Sequence, residues 1–454
     1  MKKSNQAAII VIVGISGDLS KRKLLPALNK IAAAGALPDK YKIIGITRRQ
    51  DVSISDLLVK VVEPKIISDN LELFSMDLLD RNDYGRLADY LNKIENNFGS
   101  PAQRLFYLSV PPQISASIIS ELGLSGLSSV SDTKLLLEKP FGVDLASAQE
   151  LTVEINQHFK PEQVYRIDHY LAKETAQNIL VFRQNNSLFK RTWSKDFIQS
   201  IDIVAQESIG IEGRAIFYEQ TGALRDLIQS HLLQLAALVL MDLPDNDDLS
   251  LVPKKRLEAL KDLSLPSHEG VDVNVKRGQY RGYQEEVNNV GSLVETFVSL
   301  TLESKNSNWR GVPINLITGK ALDSKFIGIK ISYKKEKDYE ANELILKLQP
   351  NEGVDLCLWS KKPGYDYQVD KHPLKFSFEE HYQSFPEAYE QVLYNAINSD
   401  HSLFASSEEV LESWRIIDPI QKNWQMSDNS PEIYEVGSPV ATILNNNHHY
   451  GSVC

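Results

Sequence analysis

The sequence predicts two fold classes in one chain. An α/β domain with a doubly wound parallel sheet is expected over residues 1–165. A larger α+β domain with a mainly antiparallel sheet is expected over 166–454. Three observations carry this. Residues 7–13 form a β-branched run without alternation that ends in a glycine turn, as in a strand covered on both faces. Strand-like and helical stretches then alternate up to about residue 165. Beyond that, apolar and polar residues alternate along several segments, as in sheets with one polar face.

After the glycine turn, Leu19, Leu24, Leu25, Leu28 and Ile31 recur at helical spacing from about Asp18 to Ala34, with Gly35 as the stop. Pro26 inside that pattern predicts a kink or a late helix start. Lys42-Ile43-Ile44-Gly45-Ile46 closes a βαβ unit, and further strands are expected at 104–110 and 134–138. In the second half, residues 173–184 and 222–241 read as helices, the latter very apolar. Strands are expected over Phe197–Ile203 and at 293–302, 313–318, 326–333 and 343–348. Residues 242–287 read as polar and charged, and 304–309 as a loop. No internal repeat or low-complexity segment interrupts the pattern.

The 454 residues include 49 Lys and Arg against 60 Asp and Glu, a net charge of −11. Such a chain has no field to attract nucleic-acid phosphates, so no nucleic-acid partner is expected. Hydrophobic residues at 42% and charged residues at 24% fit a folded rather than a disordered protein. The two cysteines, Cys357 and Cys454, exclude a disulfide framework and a cysteine zinc site and fit a reducing cytosol. Met-Lys-Lys and the apolar run Ala7 to Ile15 imitate a secretory signal, but the run is short and lacks a small-residue cleavage site. No run approaches the roughly 18–20 uninterrupted apolar residues of a membrane span. The expectation is a cytoplasmic protein without a membrane partner.

Gly14-Ile15-Ser16-Gly17 sits between a strand and a helix, where backbone amides can approach a pyrophosphate. A purely structural turn fits the same glycines, since the full three-glycine fingerprint is absent. At the end of the second strand, Thr47-Arg48-Arg49 offers no acid for a ribose 2′-hydroxyl. Two guanidinium groups there suit a 2′-phosphate, pointing to NADP rather than NAD, unless they are a solvated surface pair.

Residues 166–174 read Arg-Ile-Asp-His-Tyr-Leu-Ala-Lys-Glu. If a helix begins here, His169 and Lys173 share a face and, with Tyr170, suit a phosphate monoester. A charged helix start capped by Asp168 is the alternative. His231 lies within the apolar 222–241 segment, where an ionisable ring needs a partner. It is a satisfied core histidine or, with a carboxylate such as Asp168, a general base. Glu138-Lys139-Pro140-Phe141-Gly142 puts a lysine at the carboxyl end of an expected strand, where ligands collect, although a surface loop lysine fits as well. Lys320 and Lys325 add cations. No metal-ligand spacing occurs, so no metal is expected.

These stretches together resemble the glucose-6-phosphate dehydrogenase family along nearly the whole chain. The resemblance rests on Gly14 to Lys23, Glu138 to Gly142, Arg166 to Glu174, Glu212-Gly213-Arg214, and Arg225-Asp226 through His231 to Gln234. Gly311-Val312-Pro313 with Gly319 to Leu322, and Gln349 to Glu352, complete it. It implies a Rossmann-type NADP-binding domain and a substrate-binding and dimerisation domain. The implied reaction oxidises D-glucose 6-phosphate to 6-phospho-D-glucono-1,5-lactone, the first step of the oxidative pentose phosphate pathway.

The resemblance also implies roles. His231 is the base that deprotonates the sugar C1 hydroxyl, and Asp168 is its partner. His169, Tyr170 and Lys173 clamp the 6-phosphate. Glu207 and Asp226 bind sugar hydroxyls, and Lys139, Lys320, Lys325 and Gln349 complete the substrate contacts. Gly14, Ser16, Gly17, Asp18, Leu19, Arg48, Tyr107 and Lys139 hold the cofactor, with Lys23 closing the site. NADP is the cofactor, NAD a weaker alternative, and a homodimer or homotetramer the expected assembly. Ala172, Ser230 and Ile317 replace the family's usual Gly, Asn and Arg, and the chain is shorter than typical members. A dehydrogenase of another sugar or sugar phosphate and an inactive NADP-binding sensor are the alternatives.

Overall fold

The computed structural model describes residues 4–49, 51–130, 132–266, 274–335, 339–383, 385–426 and 429–446. The Met-Lys-Lys start and Cys454 lie outside them. The chain forms two compact units. The first comprises Met1–Ala172, Leu249–Pro253 and Pro386–Leu411; the second comprises Lys173–Asp248, Lys254–Phe385 and Glu412–Cys454.

The sheet of the first unit contains β1 (Ala7–Val13), β2 (Tyr41–Thr47), β3 (Leu71–Ser75), β4 (Ala102–Leu108), β5 (Thr133–Leu137) and β6 (Val164–Ile167). Their order is β3-β2-β1-β4-β5-β6, all parallel, and the short strand Phe404–Ala405 pairs antiparallel with β6. Every residue of β1 is buried, which is why its apolar residues do not alternate. β4 ends at Leu108, short of the expected 110. The Ser109 N–H still donates to the Val13 carbonyl at 2.9 Å, and the chain bends at Val110 ahead of Pro111 and Pro112, which have no N–H to extend a ladder.

The helical run after β1 contains a π-type turn, Ser20–Leu24, followed by an α-helix, Leu25–Ala33, with Pro26 in its first turn. The helix is already running through Leu24 and Leu25, so the missing N–H costs one ladder bond, and the wider π-turn takes up the irregularity that proline predicts. Helix Ala388–Ile397 buries Val392, Leu393 and Ile397 in the same core as Leu24, Leu28 and Ile31. Burial of three such side chains contributes roughly 4.5–9 kcal/mol before entropy is counted. The ion pairs of half-exposed Lys30 with Glu387 and Glu390 contribute about 0–1 kcal/mol each. Burial, not charge, brings this sequence-distant helix to the first unit.

The second unit is built on β7 (Ile198–Gln206), β8 (Leu263–Ser264), β9 (Val275–Tyr280), β10 (Phe297–Ser304), β11 (Ile314–Gly319), β12 (Phe326–Tyr333), β13 (Glu343–Gln349), β14 (Gly353–Lys361) and β15 (Val369–Ser377). The order is β15-β14-β13-β12-β7-β11-β10-β9, with Glu432–Tyr434 beyond β9 and β8 paired to β10. β7 with β11, and β9 with Glu432–Tyr434, pair in parallel. The other ladders are antiparallel. Residues 242–287, expected only as polar and charged, also hold a helix, Val252–Asp262, together with β8 and β9. Val252, Arg256, Ala259, Leu260 and Leu263 turn inward at helical spacing, and the charged residues between them conceal that stripe.

Among the described residues, one helical stretch, Ala215–Leu240, is long and apolar enough to cross a membrane, yet its apolar part is mostly buried inside the protein. It packs on β7 and β11 as the core helix of this unit. Its closing carbonyls are satisfied by side chains. The Trp193 and Trp309 indoles donate to Val239 and Leu240 at 2.9 and 2.7 Å, and Arg183 donates to Leu238 and Met241 at 3.1 and 2.7 Å.

Candidate active site

In the first unit, parallel strands bring their carboxyl ends to one edge, and the strand order reverses between β1 and β4, where a ligand crevice forms. Gly14 lies there at φ +88°, and a Cβ on it would stand 2.3 Å from the Ser109 carbonyl oxygen. Ser20 Oγ lies 3.1 Å from both the Gly14 carbonyl oxygen and Ser109 Oγ, bracing the turn. Ser16, Gly17 and Leu19 are half-buried and Asp18 exposed, with the helical run opening at Asp18. Arg48 and Arg49 are exposed just past β2, and the Arg49 N–H donates to Thr47 Oγ1 at 3.1 Å. Lys23 is exposed, 3.5 Å from Glu387. These features fit NADP. The turn leaves room for backbone to approach a pyrophosphate, and the end of β2 offers guanidinium groups in place of a carboxylate.

At the ends of β4 and β5, Tyr107 is fully buried and its hydroxyl donates to Glu138. Its side chain is engaged inside the unit, leaving its backbone for any cofactor contact. The Tyr389 hydroxyl also bonds Glu138. Burial pushes the Glu138 carboxyl above its ordinary value, while the two phenols and Lys139 pull it back. Lys139 is half-buried.

The helix expected over 173–184 is present, but it does not reach back to His169. β6 continues through Ile167, residues 168–173 turn, and the helix Glu174–Asn185 follows. Pairing with β5 holds residues 164–166 extended, and His169 lies in the turn that follows while Lys173 is the N-cap of the next helix, so the two share no helix face. Asp168 caps no helix; its Oδ1 accepts the Tyr170 N–H at 3.0 Å. Asp168 and Tyr170 are buried, and the half-buried His169 ring stacks 6.2 Å from Tyr389.

In the second unit, register brings four expected residues to one sheet edge. Gln206 pairs with both Gly319 and Phe326, and Ile327 with Gln349, so Glu207, Lys320, Lys325 and Gln349 lie together at that end. Lys320 is buried, ion-pairs with Glu207, and places its Nζ 5.5 Å from the Tyr218 ring centroid. Lys325 is exposed and Gln349 half-buried. Asp226 and His231 are both buried, on the π-helical turn Leu224–Leu232 that packs against β7 and β11. Burial, with Asp226 and Glu295 nearby, holds the Tyr218 phenol well above its ordinary value. Lys173 is buried at the N-cap of helix Glu174–Asn185. Next to it, Thr175 donates from its amide and hydroxyl to Glu352, both at 3.1 Å.

The three departures are absorbed locally. Ala172 is buried in the first core, Ile317 packs with Val204 and Phe297, and Ser230 Oγ donates to the Asp226 carbonyl at 3.2 Å. Among the described residues, no group of three or more His, Cys, Asp or Glu side chains could hold a metal. Sequence reasoning quoted Glu138 in the Glu138–Gly142 stretch without giving it a role, and did not single out Tyr389. A charged residue ending the apolar run 135–137 was a signal for Glu138; nothing local marks Tyr389, which arrives from a segment far along the chain.

The strand order, the glycine turn at the reversal and the arginines after β2 define the first unit as a Rossmann-type dinucleotide-binding domain, here carried with an α+β unit that offers cations and carboxylates at one sheet edge. The chain belongs to the glucose-6-phosphate dehydrogenase family. The family's NAD binding domain matches residues 11–178 and its C-terminal domain residues 180–446. Glucose-6-phosphate 1-dehydrogenase of Chlamydia muridarum is 36% identical, covering 92% of this chain and 90% of that protein. The Bacillus subtilis enzyme of the same name is 33% identical, covering 96% of each. A solved structure described as glucose-6-phosphate dehydrogenase in complex with its substrate glucose-6-phosphate superposes with a TM-score of 0.91 at 30% identity, covering 100% of both chains.

Proposed function

We infer that this chain oxidises D-glucose 6-phosphate to 6-phospho-D-glucono-1,5-lactone with NADP+. The observation that carries the reading is full-length likeness, at a TM-score of 0.91, to a dehydrogenase solved with glucose 6-phosphate. NADP+, when bound, supplies the hydride acceptor for C1. The first unit serves as the cofactor domain, with the Gly14–Leu19 turn and Arg48 holding the dinucleotide and Lys139 at the adjoining strand end.

His231 takes the C1 hydroxyl proton as the C1–H bond gives up its hydride, leaving the C1 carbonyl of the lactone. Such base catalysis contributes roughly 10²–10⁴-fold. Asp168 as the carboxylate that supports the imidazolium, and His169, Tyr170 and Lys173 as the phosphate clamp, rest on the resemblance of the Asp-His-Tyr-Leu-x-Lys-Glu segment. Glu207, Asp226, Lys320, Lys325 and Gln349 orient the sugar, because fixing C1 relative to the base converts binding into rate. A cytoplasmic location is proposed with it on the family resemblance alone. Assembly as a homodimer or homotetramer follows the family expectation.

Product analysis tests the reading. Glucose 6-phosphate labelled with 13C at C1 should yield the lactone and then 6-phosphogluconate, one oxidised carbon per NADPH formed. NADPH without oxidised C1, or no product at all, would contradict it.

A further inference from the structure

One buried carboxylate outside the residues assigned above organises the helix that bears Asp226 and His231. Glu295 stands just before β10 and is 8% exposed. Its Oε1 accepts the N–H of Leu224 at 2.9 Å, and its main-chain oxygen accepts the N–H of Ala223 at 3.0 Å. Leu224 opens the π-helical turn Leu224–Leu232. Glu295 therefore satisfies two amides at a helix start, and it does so from a different part of the fold. Gly222 makes the approach possible. At φ 65°, ψ 175° it breaks the helical path, and a Cβ there would stand 2.3 Å from Glu295 Oε1. Arg225 and Arg277 act on the same carboxyl, and Tyr218 senses both Glu295 and Asp226. The contact thus adjoins the Lys320–Glu207 edge through Tyr218.

We propose that Glu295 is a positioning residue for His231 and Asp226, fixing through the Leu224 amide the rotation and register of the helical turn that presents them. A slip of one residue turns a helix by about 100°, and misplacing a reacting group by about 1 Å can lower rate roughly 10²-fold. The kinetic part of this proposal rests on the reading of His231 as the base; the structural part does not.

The test compares Glu295→Ala, Glu295→Gln and Gly222→Ala. Glutamine keeps an oxygen acceptor of the same shape, whereas a Cβ at 222 both crowds the carboxylate and strains a backbone at φ 65°, ψ 175°. With glucose 6-phosphate, kcat should fall about tenfold or more in Glu295→Ala and Gly222→Ala, recover most of that loss in Glu295→Gln, and fall no further when Glu295→Ala and Gly222→Ala are combined. KM for NADP+ should not change. The His231 ring resonance, assigned by its loss in His231→Asn, should move in Glu295→Ala and Gly222→Ala and return in Glu295→Gln. An unmoved resonance, or a glutamine variant no better than alanine, would overturn the proposal. Should the alanine variant fail to fold, Gly222→Ala and Glu295→Gln decide the matter. Absence of turnover in the unaltered protein would count against the reaction, while the resonance would still judge Glu295.

Discussion

Lys320 and Glu207 form an ion pair at the carboxyl ends of neighbouring parallel strands, the lysine side chain 5% exposed and the glutamate 29%. The glutamate's access to water limits what the pair adds to stability, so its weight falls on placement. In the proposed reading this buried cation at the sheet edge donates to sugar oxygens. Lys320→Met should raise KM for glucose 6-phosphate by about 10–100-fold, the value of a charge-assisted hydrogen bond. Steady-state kinetics with the KM for NADP+ as control check this; an unchanged sugar KM would place Lys320 outside the substrate contacts.

Arg48 supplies an exposed guanidinium just past β2, where an NAD-specific site carries an acid. Arg48→Asp should weaken NADP+ and favour NAD+, shifting the ratio of kcat/KM values by about tenfold or more. Initial rates with each cofactor measure the ratio, and an unmoved ratio would return Arg48 to the solvated surface.

At Gly14 the backbone sits at φ +88°, and an added Cβ would press on the Ser109 carbonyl at 2.3 Å. Gly14→Ala should lower the stability of the first unit by about 1–3 kcal/mol and abolish measurable NADP+ binding. Thermal denaturation and cofactor titration check the two effects. Retained cofactor affinity would show that the turn tolerates a side chain.

How far the sequence carried depended on how local each signal was. The unalternating run Ala7–Val13 announced a doubly covered strand because its burial on both faces is written into consecutive residues. The Lys320 edge was legible only through resemblance, since the pairings of Gln206 with Gly319 and Phe326 join residues more than a hundred positions apart. Whether the helix at 174 reached back to His169 stayed open in the sequence, because polar residues at helical spacing look the same in the turn that follows β6. Helix Ala388–Ile397 carries Tyr389 to Glu138 through burial of Val392, Leu393 and Ile397, a choice of partner that no local pattern states.

His401 stacks on Tyr165 at 4.1 Å, and its Nε2 lies 3.1 Å from the Glu162 carbonyl oxygen. Burial holds the folded imidazole below its ordinary 6.5. Between that lower value and 6.5, the unfolded chain binds a proton that the folded chain does not. The stability contributed by neutral His401 is therefore present above pH 6.5 and lost as pH falls through the folded value. His401→Phe should flatten the decline of Tm below pH 6.5 while lowering Tm slightly at pH 7.5. Parallel acid-side slopes in the two proteins would contradict this.

The most direct test of the reaction is the rate of nicotinamide reduction, followed by absorbance, with glucose 6-phosphate or glucose offered with NADP+ or NAD+. His231→Asn, folded by its unaltered NADP+ affinity, is measured beside the unaltered protein. The account predicts fast turnover with glucose 6-phosphate and NADP+, and a loss of roughly 10²–10⁴-fold in the variant. Turnover on glucose alone, or none on glucose 6-phosphate with either cofactor, would contradict it.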